Sequence, residues 1–173
     1  MQIQPAGPED IPELLPLING AYRGEASKKG WTHEADLIAG EARIDDATLR
    51  ELLQQPTVTM LKHTDAAGQI DACVFLEIKE RGLYLGMLTV SPELQGAGLG
   101  KQLLAAAEDF ARRQGGERIF MNVLSARKEL LAWYERHGYR RTGERLPFIV
   151  DAKFGVPVQP LDMVILEKMV PAL

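Results

Sequence analysis

Apolar residues recur along the chain at spacings that predict alternating helices and strands. One helical face near the N-terminus is predicted from residues at i, i+3, i+4, i+7 and i+11: Ile11, Leu14, Leu15, Ile18 and Tyr22. Pro16 lies inside this pattern and is expected to bend or shorten the helix, because proline lacks a backbone N–H. A second helix is predicted over 46–55, where leucines share one face and Pro56 follows as a stop.

Short apolar or β-branched runs separated by turns predict an antiparallel meander in the middle of the chain. Its three strands are expected at 57–62, 70–78 and 83–90, after a short first strand at 2–4. Residues 23–45 follow no clear period and are expected to be irregular.

The second half of the chain predicts a crossover connection followed by a final hairpin. The clearest helix is 101–114, and the strand 119–124 must then return parallel to the strand 83–90. Ser125 is expected to cap a further helix over 126–137. The last elements are two strands and the proline-bearing loop between them: 139–144, 162–168 and 147–160.

Composition narrows the class of protein without identifying it. The 173 residues are 46% hydrophobic and 25% charged, which is typical of a globular chain and predicts a single domain over 1–173. A net charge of −4 argues against nucleic acid as a partner. No signal peptide or membrane span is recognisable, so no membrane partner is expected and the cytoplasm is the default location. Cys73 is the only cysteine, so no disulfide can form within the chain.

The most informative turn is Gln95-Gly96-Ala97-Gly98-Leu99-Gly100-Lys101, which joins a predicted strand to a predicted helix. Backbone N–H groups of such a turn and the helix dipole favour phosphate oxygens. A P-loop would need glycine at Gln95 and a hydroxyl at Gln102, and a dinucleotide fingerprint fails at its last interval. A third pattern, Gln/Arg-x-x-Gly-x-Gly/Ala, fits this turn. An ordinary strand–helix turn with no role in binding is the alternative interpretation.

Two motifs resemble the GNAT superfamily of acetyltransferases. The stretch Leu88-Thr89-Val90-Ser91-Pro92-Glu93-Leu94-Gln95-Gly96-Ala97-Gly98-Leu99-Gly100 resembles its strand-to-loop motif. The stretch Leu130-Leu131-Ala132-Trp133-Tyr134-Glu135-Arg136-His137-Gly138-Tyr139 resembles its second motif. The order of elements also resembles that of the family. The resemblance implies a mixed, mostly antiparallel sheet of six to seven strands with one parallel pair, flanked by about four helices.

The resemblance implies that acetyl-CoA is the acyl donor and that the two parallel strands splay apart around its pantetheine arm. The residues expected to bind it come from the first motif and from the strand beyond it: Leu88, Thr89, Val90, Gln95, Gly96, Ala97, Gly98, Leu99, Gly100, Lys101 and Asn122. Glycine would let the backbone approach the pyrophosphate closely. Lys101 either adds charge there or is a solvated first-turn lysine.

Tyr134 matches the family position of the general acid, and a phenol is protonated at neutral pH. A core aromatic is the competing interpretation. Glu77 is the leading candidate for the general base, although strand alternation could equally place it in solvent, and a water chain is an alternative. The three histidines have no metal-ligand spacing, so no metal is expected: His33, His63 and His137.

In this superfamily the acceptor usually lies between the first helix, the loop after it and the last hairpin. That location points to six residues: Tyr22, Trp31, Thr32, Glu34, Arg43 and Phe148. The expected partner is a small-molecule or peptide amine with a carboxylate nearby, which Arg43 would bind unless it is a surface ion-pair residue. Polyamines and aminoglycosides stay open as acceptors because acidic residues are clustered in this region: Glu34, Asp36, Glu41, Asp45 and Asp46.

Two other classes of function also remain possible from the sequence. A catalytically silent acyl-CoA-binding regulatory module would retain the same motifs. A nucleotide-triphosphate-binding protein is disfavoured by Gln102. A homodimer is possible.

Overall fold

Residues 3–172, the part of the chain that the computed structural model describes, form nine strands and four α-helices. The helices are α1 (Ile11–Tyr22), α2 (Asp46–Leu53), α3 (Leu99–Arg113) and α4 (Lys128–Arg136). The strands are β1 (Ile3–Pro5), β2 (Ile38–Ala39), β3 (Val58–Thr64), β4 (Ile70–Lys79), β5 (Gly82–Val90), β6 (Arg118–Leu124), β7 (Arg140–Pro147), β8 (Val156–Pro157) and β9 (Asp162–Met169). Gln2, predicted to begin the first strand, lies outside the described residues.

Seven strands form one sheet in the order β1-β3-β4-β5-β6-β9-β7. Only β5 and β6 pair in parallel within it, and α3 makes the crossover between them. The expected mixed, mostly antiparallel sheet with one parallel pair and four helices is confirmed. The short strands β2 and β8 form a separate pair, which brings the segment after α1 against the loop before β9.

The structure bears on three local predictions. Helix α1 is not shortened at Pro16 and runs to Tyr22, because its buried face against the sheet outweighs one lost hydrogen bond. Helix α2 ends at Leu53, earlier than position 55. Ser125 is not a helix cap, since α4 begins at Lys128 and the Ser125 hydroxyl instead donates to an Asp162 carboxylate oxygen.

The sheet separates two apolar layers. On one face α3 and α4 pack leucines such as Leu103 and Leu131, and on the other α1 and α2 pack Ile18 and Leu49. Alternation along β4 sends Val74 to the first layer and Cys73 to the second, as a strand period of two requires. Cys73 is fully buried, and this burial raises the pKa of its thiol to about 12.

The sheet is interrupted near the middle of β5. Its parallel ladder with β6 contains only the pairs Leu83–Ile119 and Tyr84–Phe120, although both strands continue beyond them. A bulge lies in the same region: Val74 of β4 faces both Met87 and Leu88, and Met87 has a φ of 46°. The two strands therefore diverge towards their C-terminal ends, where the candidate site is located.

Candidate active site

A cleft of about 600 Å³ lies beside the diverging strands. It is lined by the turn between β5 and α3, by one face of α4 and by the segment around Trp31. Most of the residues predicted to bind the acyl donor line it: Leu88, Val90, Gln95, Gly96, Gly98, Leu99, Gly100 and Lys101. The cleft is thus formed mainly by the two sequence motifs that were predicted to act together.

The glycines in the turn have different structural roles. Gly96 and Gly98 have φ values of 97° and 85°, and a Cβ at either position would meet no protein atom within 4 Å. Their strained backbone therefore requires glycine while the space beside it stays open to a ligand. A Cβ on Gly100 would instead lie 3.3 Å from the Trp133 ring, so this glycine allows α3 and α4 to pack closely.

Gly98 is the N-cap of α3, which is 15 residues long. The first backbone N–H groups of this helix, beginning at Leu99, lack intrahelical acceptors and carry the positive end of its dipole. Lys101 is exposed at the edge of the cleft. The turn thus supplies N–H donors and one nearby ammonium group, which is the donor set that a pyrophosphate requires.

The side chain of Gln95 links the turn to the segment after α1. Its Oε1 accepts from the Trp31 N–H at 2.8 Å, and its Nε2 donates to Thr32 Oγ1 at 2.8 Å and to the Val90 carbonyl at 3.1 Å. The amide is therefore fully engaged within the protein. What Gln95 offers a ligand is its backbone.

Aromatic side chains form one wall of the cleft. The Trp133 ring lies 5.9 Å from Trp31, 5.1 Å from Tyr134 and 4.3 Å from His137, measured between ring centroids. Tyr134 also meets Tyr139 at 5.8 Å. These contacts fix the rotamer of Tyr134 from several sides.

A second, smaller cavity of about 180 Å³ adjoins the cleft. Its charged lining consists of Arg23, Glu34, Arg43 and Arg127. Four residues line both cavities: Tyr22, Leu88, Leu130 and Tyr134. The two cavities therefore meet where β5 and β6 diverge, and side chains from both layers of the fold reach that point.

Tyr22 and Tyr134 approach this junction from opposite sides of the sheet. The Tyr22 hydroxyl donates to the Leu88 carbonyl at 2.5 Å, and burial raises the pKa of Tyr22 to about 12. Burial also raises the pKa of Tyr134 well above 10.0, with a smaller contribution in the same direction from Tyr22. Both phenols therefore keep their protons throughout the neutral range.

Some predicted residues lie elsewhere. Glu77 borders neither cavity, and its side chain is 28% exposed with Lys79 as a neighbour at 3.9 Å. The hydroxyl of Thr89 is buried and donates to the Met87 carbonyl at 2.9 Å, away from the cleft. Ala97 is exposed in the turn but does not line the cleft.

The remaining predicted residues divide between the two cavities. Trp31 and Thr32 line the cleft. The smaller cavity takes Glu34, Arg43, Phe148 and Asn122. Asn122 therefore lies in the smaller cavity and not in the cleft with the other residues predicted to bind the acyl donor.

Arg23 and Arg127 were not predicted as site residues. Glu34 lies between them, with Oε1 at 3.2 Å from Arg23 and Oε2 at 3.6 Å from Arg127, and Arg127 also donates to the Thr32 carbonyl. Both arginines end a helix or precede one, positions where charged residues are usually solvated. No spacing in the sequence connects either of them to Glu34.

No helix within residues 3–172 is long and apolar enough to cross a membrane. In the same range, no group of three or more His, Cys, Asp or Glu side chains is arranged to hold a metal ion.

Two relatives match about two thirds of the chain. It is 29% identical over 121 residues to mycothiol acetyltransferase of Beutenbergia cavernae, covering 68% of this chain and 39% of that protein. It is 25% identical over 122 residues to human N-acetyltransferase 8B, covering 68% of this chain and 53% of that protein. The chain therefore spans about half the length of these relatives or less.

A solved structure extends the likeness to nearly the whole fold. The ribosomal-protein-S18-alanine N-acetyltransferase of Escherichia coli superposes with a TM-score of 0.71 over 99% of this chain and 94% of that one. At 16% identity this likeness concerns the fold alone. Residues 33–150 match the family model described as the acetyltransferase (GNAT) domain, a range that includes the glycine turn and Tyr134. The glycine turn, the diverging strands and the matched domain agree, and the chain belongs to the GNAT family of acetyltransferases.

Proposed function

We propose that this protein transfers an acetyl group from acetyl-CoA to a primary amine by direct attack within a ternary complex. One observation carries the proposal: Tyr134 and Leu88 line both cavities, at the point where the two meet. A donor in the larger cavity and an amine in the smaller one would have their reacting ends at this junction. Positioning of this kind accounts for much of the catalysis of a bimolecular transfer.

The larger cleft fits acetyl-CoA by its donor set. The open space beside Gly96 and Gly98, together with the N–H groups at the start of α3, would hold the pyrophosphate. The backbone of β5 near Leu88 and Val90 would align the pantetheine arm, since β6 does not pair with it there. Acetyl-CoA supplies an activated acyl thioester. The protein therefore has to position the two substrates, polarise the thioester carbonyl and transfer protons.

Tyr134 is proposed as the general acid. Its raised pKa keeps the Oη proton in place at neutral pH, and its contacts with Trp133 and Tyr139 hold the ring at the junction. The hydroxyl would give that proton to the leaving sulfur. Tyr22 positions Leu88 through its hydrogen bond to that carbonyl.

In this mechanism, water accepts the proton that the amine loses before it attacks. Within residues 3–172, Glu34 is the only carboxylate lining the smaller cavity, and it is already paired with Arg23 and Arg127. Glu77 lies outside both cavities and has no role here. Attack then depends on the fraction of acceptor that is unprotonated, so the rate should rise with pH through the pKa of the amine.

The test is release of free thiol from acetyl-CoA in the presence of a library of primary amines, with the acetylated product identified by mass spectrometry. Amine-dependent release is the expected result. Tight binding of acetyl-CoA without release for any amine would favour a silent acyl-CoA-binding module. Binding of ATP-magnesium in place of acetyl-CoA would contradict the assignment of the cleft itself.

A further inference from the structure

The smaller cavity carries an excess of positive charge. Three guanidinium groups line it, from Arg23, Arg43 and Arg127, against the single carboxylate of Glu34. The side chains of Arg23 and Arg127 are 3% and 8% exposed, so solvent screens them poorly. Charges of one sign gathered in a partly buried cavity favour a ligand of the opposite sign.

Glu34 does not balance Arg43. Its two oxygens are directed at Arg23 and Arg127, at 3.2 Å and 3.6 Å. Arg23 and Arg43 each have a buried Nε with no hydrogen-bond partner among the described residues. The terminal nitrogens of Arg23 donate to Glu34 and to two backbone carbonyls, whereas the side chain of Arg43 makes no hydrogen bond or ion pair within residues 3–172, and its guanidinium carbon lies 5.2 Å from the centroid of the Tyr22 ring. The guanidinium of Arg43 is therefore the one in this group that is placed to bind a ligand.

Tyr22 connects Arg43 to the reaction centre. Arg43 packs against the face of the Tyr22 ring, and the Tyr22 hydroxyl donates a hydrogen bond to the Leu88 carbonyl. One tyrosine side chain thus separates a free guanidinium from the junction of the two cavities. An acceptor that reaches both points would carry its anionic group within about the length of this side chain from its amine.

Size and charge argue against large or polycationic acceptors. A cavity of about 180 Å³ is smaller than the roughly 300–1,000 Å³ typical of sites for drug-sized ligands. Most of the acidic residues that kept polyamines open lie outside it. Asp36 pairs with Lys28, Asp46 pairs with Arg50, and Asp45 accepts from the Thr48 N–H at the start of α2.

We propose that the acceptor is an α-amino acid and that Arg43 binds its carboxylate, with Arg127 and Arg23 supplying the surrounding positive field. This proposal rests on the acetyl transfer described above. A guanidinium matches a carboxylate by two parallel N–H···O bonds, and this geometry would fix the direction in which the amine points. Selectivity for small zwitterions over simple amines follows from it.

The experiment compares L-α-amino acids with their carboxamides, which keep the amine and the side chain but lose the negative charge. Thiol release from acetyl-CoA and calorimetric binding to the CoA-saturated protein are both measured. The variants are Arg43→Gln, which removes the charge, and Arg43→Lys, which keeps it. Arg50→Gln is the control, because Arg50 is exposed and pairs with Asp46 outside the cavity.

At least one amino acid should be acetylated with a kcat/KM about tenfold or more above that of its carboxamide, as expected for one charge-assisted hydrogen bond. Arg43→Gln should abolish this preference and Arg43→Lys should partly restore it, while Arg50→Gln should leave it unchanged. The KM for acetyl-CoA should stay within about twofold in all three variants.

Equal or better turnover of the carboxamides would overturn the amino-acid proposal and leave acetyl transfer intact. If no amine is acetylated, the proposed function fails, and calorimetry still decides the second question. Binding of acids but not carboxamides, lost in Arg43→Gln, would support the anion-binding role of Arg43. Absence of that difference would refute it.

Discussion

The Oε1 atom of Gln95 accepts a hydrogen bond from the backbone N–H of Trp31 at 2.8 Å, across 64 positions of the chain. The contact joins the turn before α3 to the segment between α1 and β2. A Cβ at Gly30 would lie 2.5 Å from the Gln95 side chain, so the two segments approach as closely as glycine permits. The glycine turn that lines the cleft and the segment after α1 are therefore held together by direct contacts.

We expect Gln95→Ala to weaken both binding events. The loss leaves the Trp31 N–H and the Thr32 hydroxyl without their partner, so the segment that borders both cavities should lose order. The KM for the acceptor should rise several-fold together with that for acetyl-CoA, and the free energy of unfolding should fall by about 1 kcal/mol. Steady-state kinetics and urea unfolding measure both effects. Gln102→Ala, an exposed position on α3, is the control, and an unchanged acceptor KM in Gln95→Ala would refute the connection.

Gly98→Ala should cost acetyl-CoA affinity about tenfold or more, because the added methyl occupies the space assigned to phosphate oxygens and strains the left-handed backbone. Gly68→Ala is a matched control. Gly68 has a φ of 81° and equally open surroundings, but it lies in the turn between β3 and β4. Both variants should lose about 1–2 kcal/mol of stability, and calorimetry should find weaker acetyl-CoA binding only in Gly98→Ala. If Gly98→Ala and Gly68→Ala bind acetyl-CoA with equal affinity, the turn before α3 is not a phosphate-binding loop.

Tyr134→Phe should lower kcat by about 10² or more while changing acetyl-CoA affinity by no more than a few-fold. Tyr139→Phe is its control, since the Tyr139 hydroxyl is buried without a hydrogen-bond partner among residues 3–172. Removing that hydroxyl should leave kcat unchanged and stability equal or slightly higher.

The pH profile of kcat adds a second criterion for Tyr134. Because burial raises its pKa well above 10.0, the parent enzyme should keep its acid form and lose no activity from this group up to about pH 10. If kcat for Tyr134→Phe stays within about threefold of the parent across that range, solvent and not Tyr134 protonates the leaving sulfur.

Stability should fall at alkaline pH. The pKa of Tyr22 rises from 10.0 to about 12 on folding, and the pKa of Tyr139 is also raised by burial. Groups with raised folded-state pKa values contribute their full stability below the unfolded value, and this contribution is lost as pH rises from there through the folded value. Each of the two tyrosines should lower the free energy of unfolding by about 1.4 kcal/mol per pH unit between its unfolded-state and folded-state pKa values. Urea midpoints at about pH 8 and pH 11 measure the loss, which should be smaller in Tyr139→Phe; an equal loss in both proteins would contradict the assignment.

Elements with a strong local period were predictable from the sequence. The helix α3 was expected because Leu103 and Leu104 recur on one face. Its bounds differ slightly from the predicted 101–114, since Leu99 begins it inside the glycine turn and Arg113 ends it. The pair β2–β8 was not predictable. Each strand has two residues, too few to show alternation, and each is held by a partner more than a hundred positions away.

The two cavities differ in the same way. Residues of the larger cleft lie mostly within two contiguous motifs, so Gly98 and Tyr134 could be named from the sequence. The charged group of the smaller cavity is assembled from distant segments, and the pairing of Glu34 with Arg127 depends on how α4 packs against the segment after α1. An arginine in a turn has the same local signature whether it is solvated or buried, and only the tertiary fold separates the two cases.

The buried Cys73 has a practical consequence for spectroscopy. The chain has no other cysteine, and this thiol is fully enclosed with a raised pKa, so maleimide reagents should leave the folded protein unmodified. A cysteine introduced at Ile149, which is 85% exposed between two residues that line the smaller cavity, would be the only site to accept a fluorophore. The native sequence is thus already a background for single-site labelling, and a dye at that position would lie beside the cavity that is proposed to bind the acceptor.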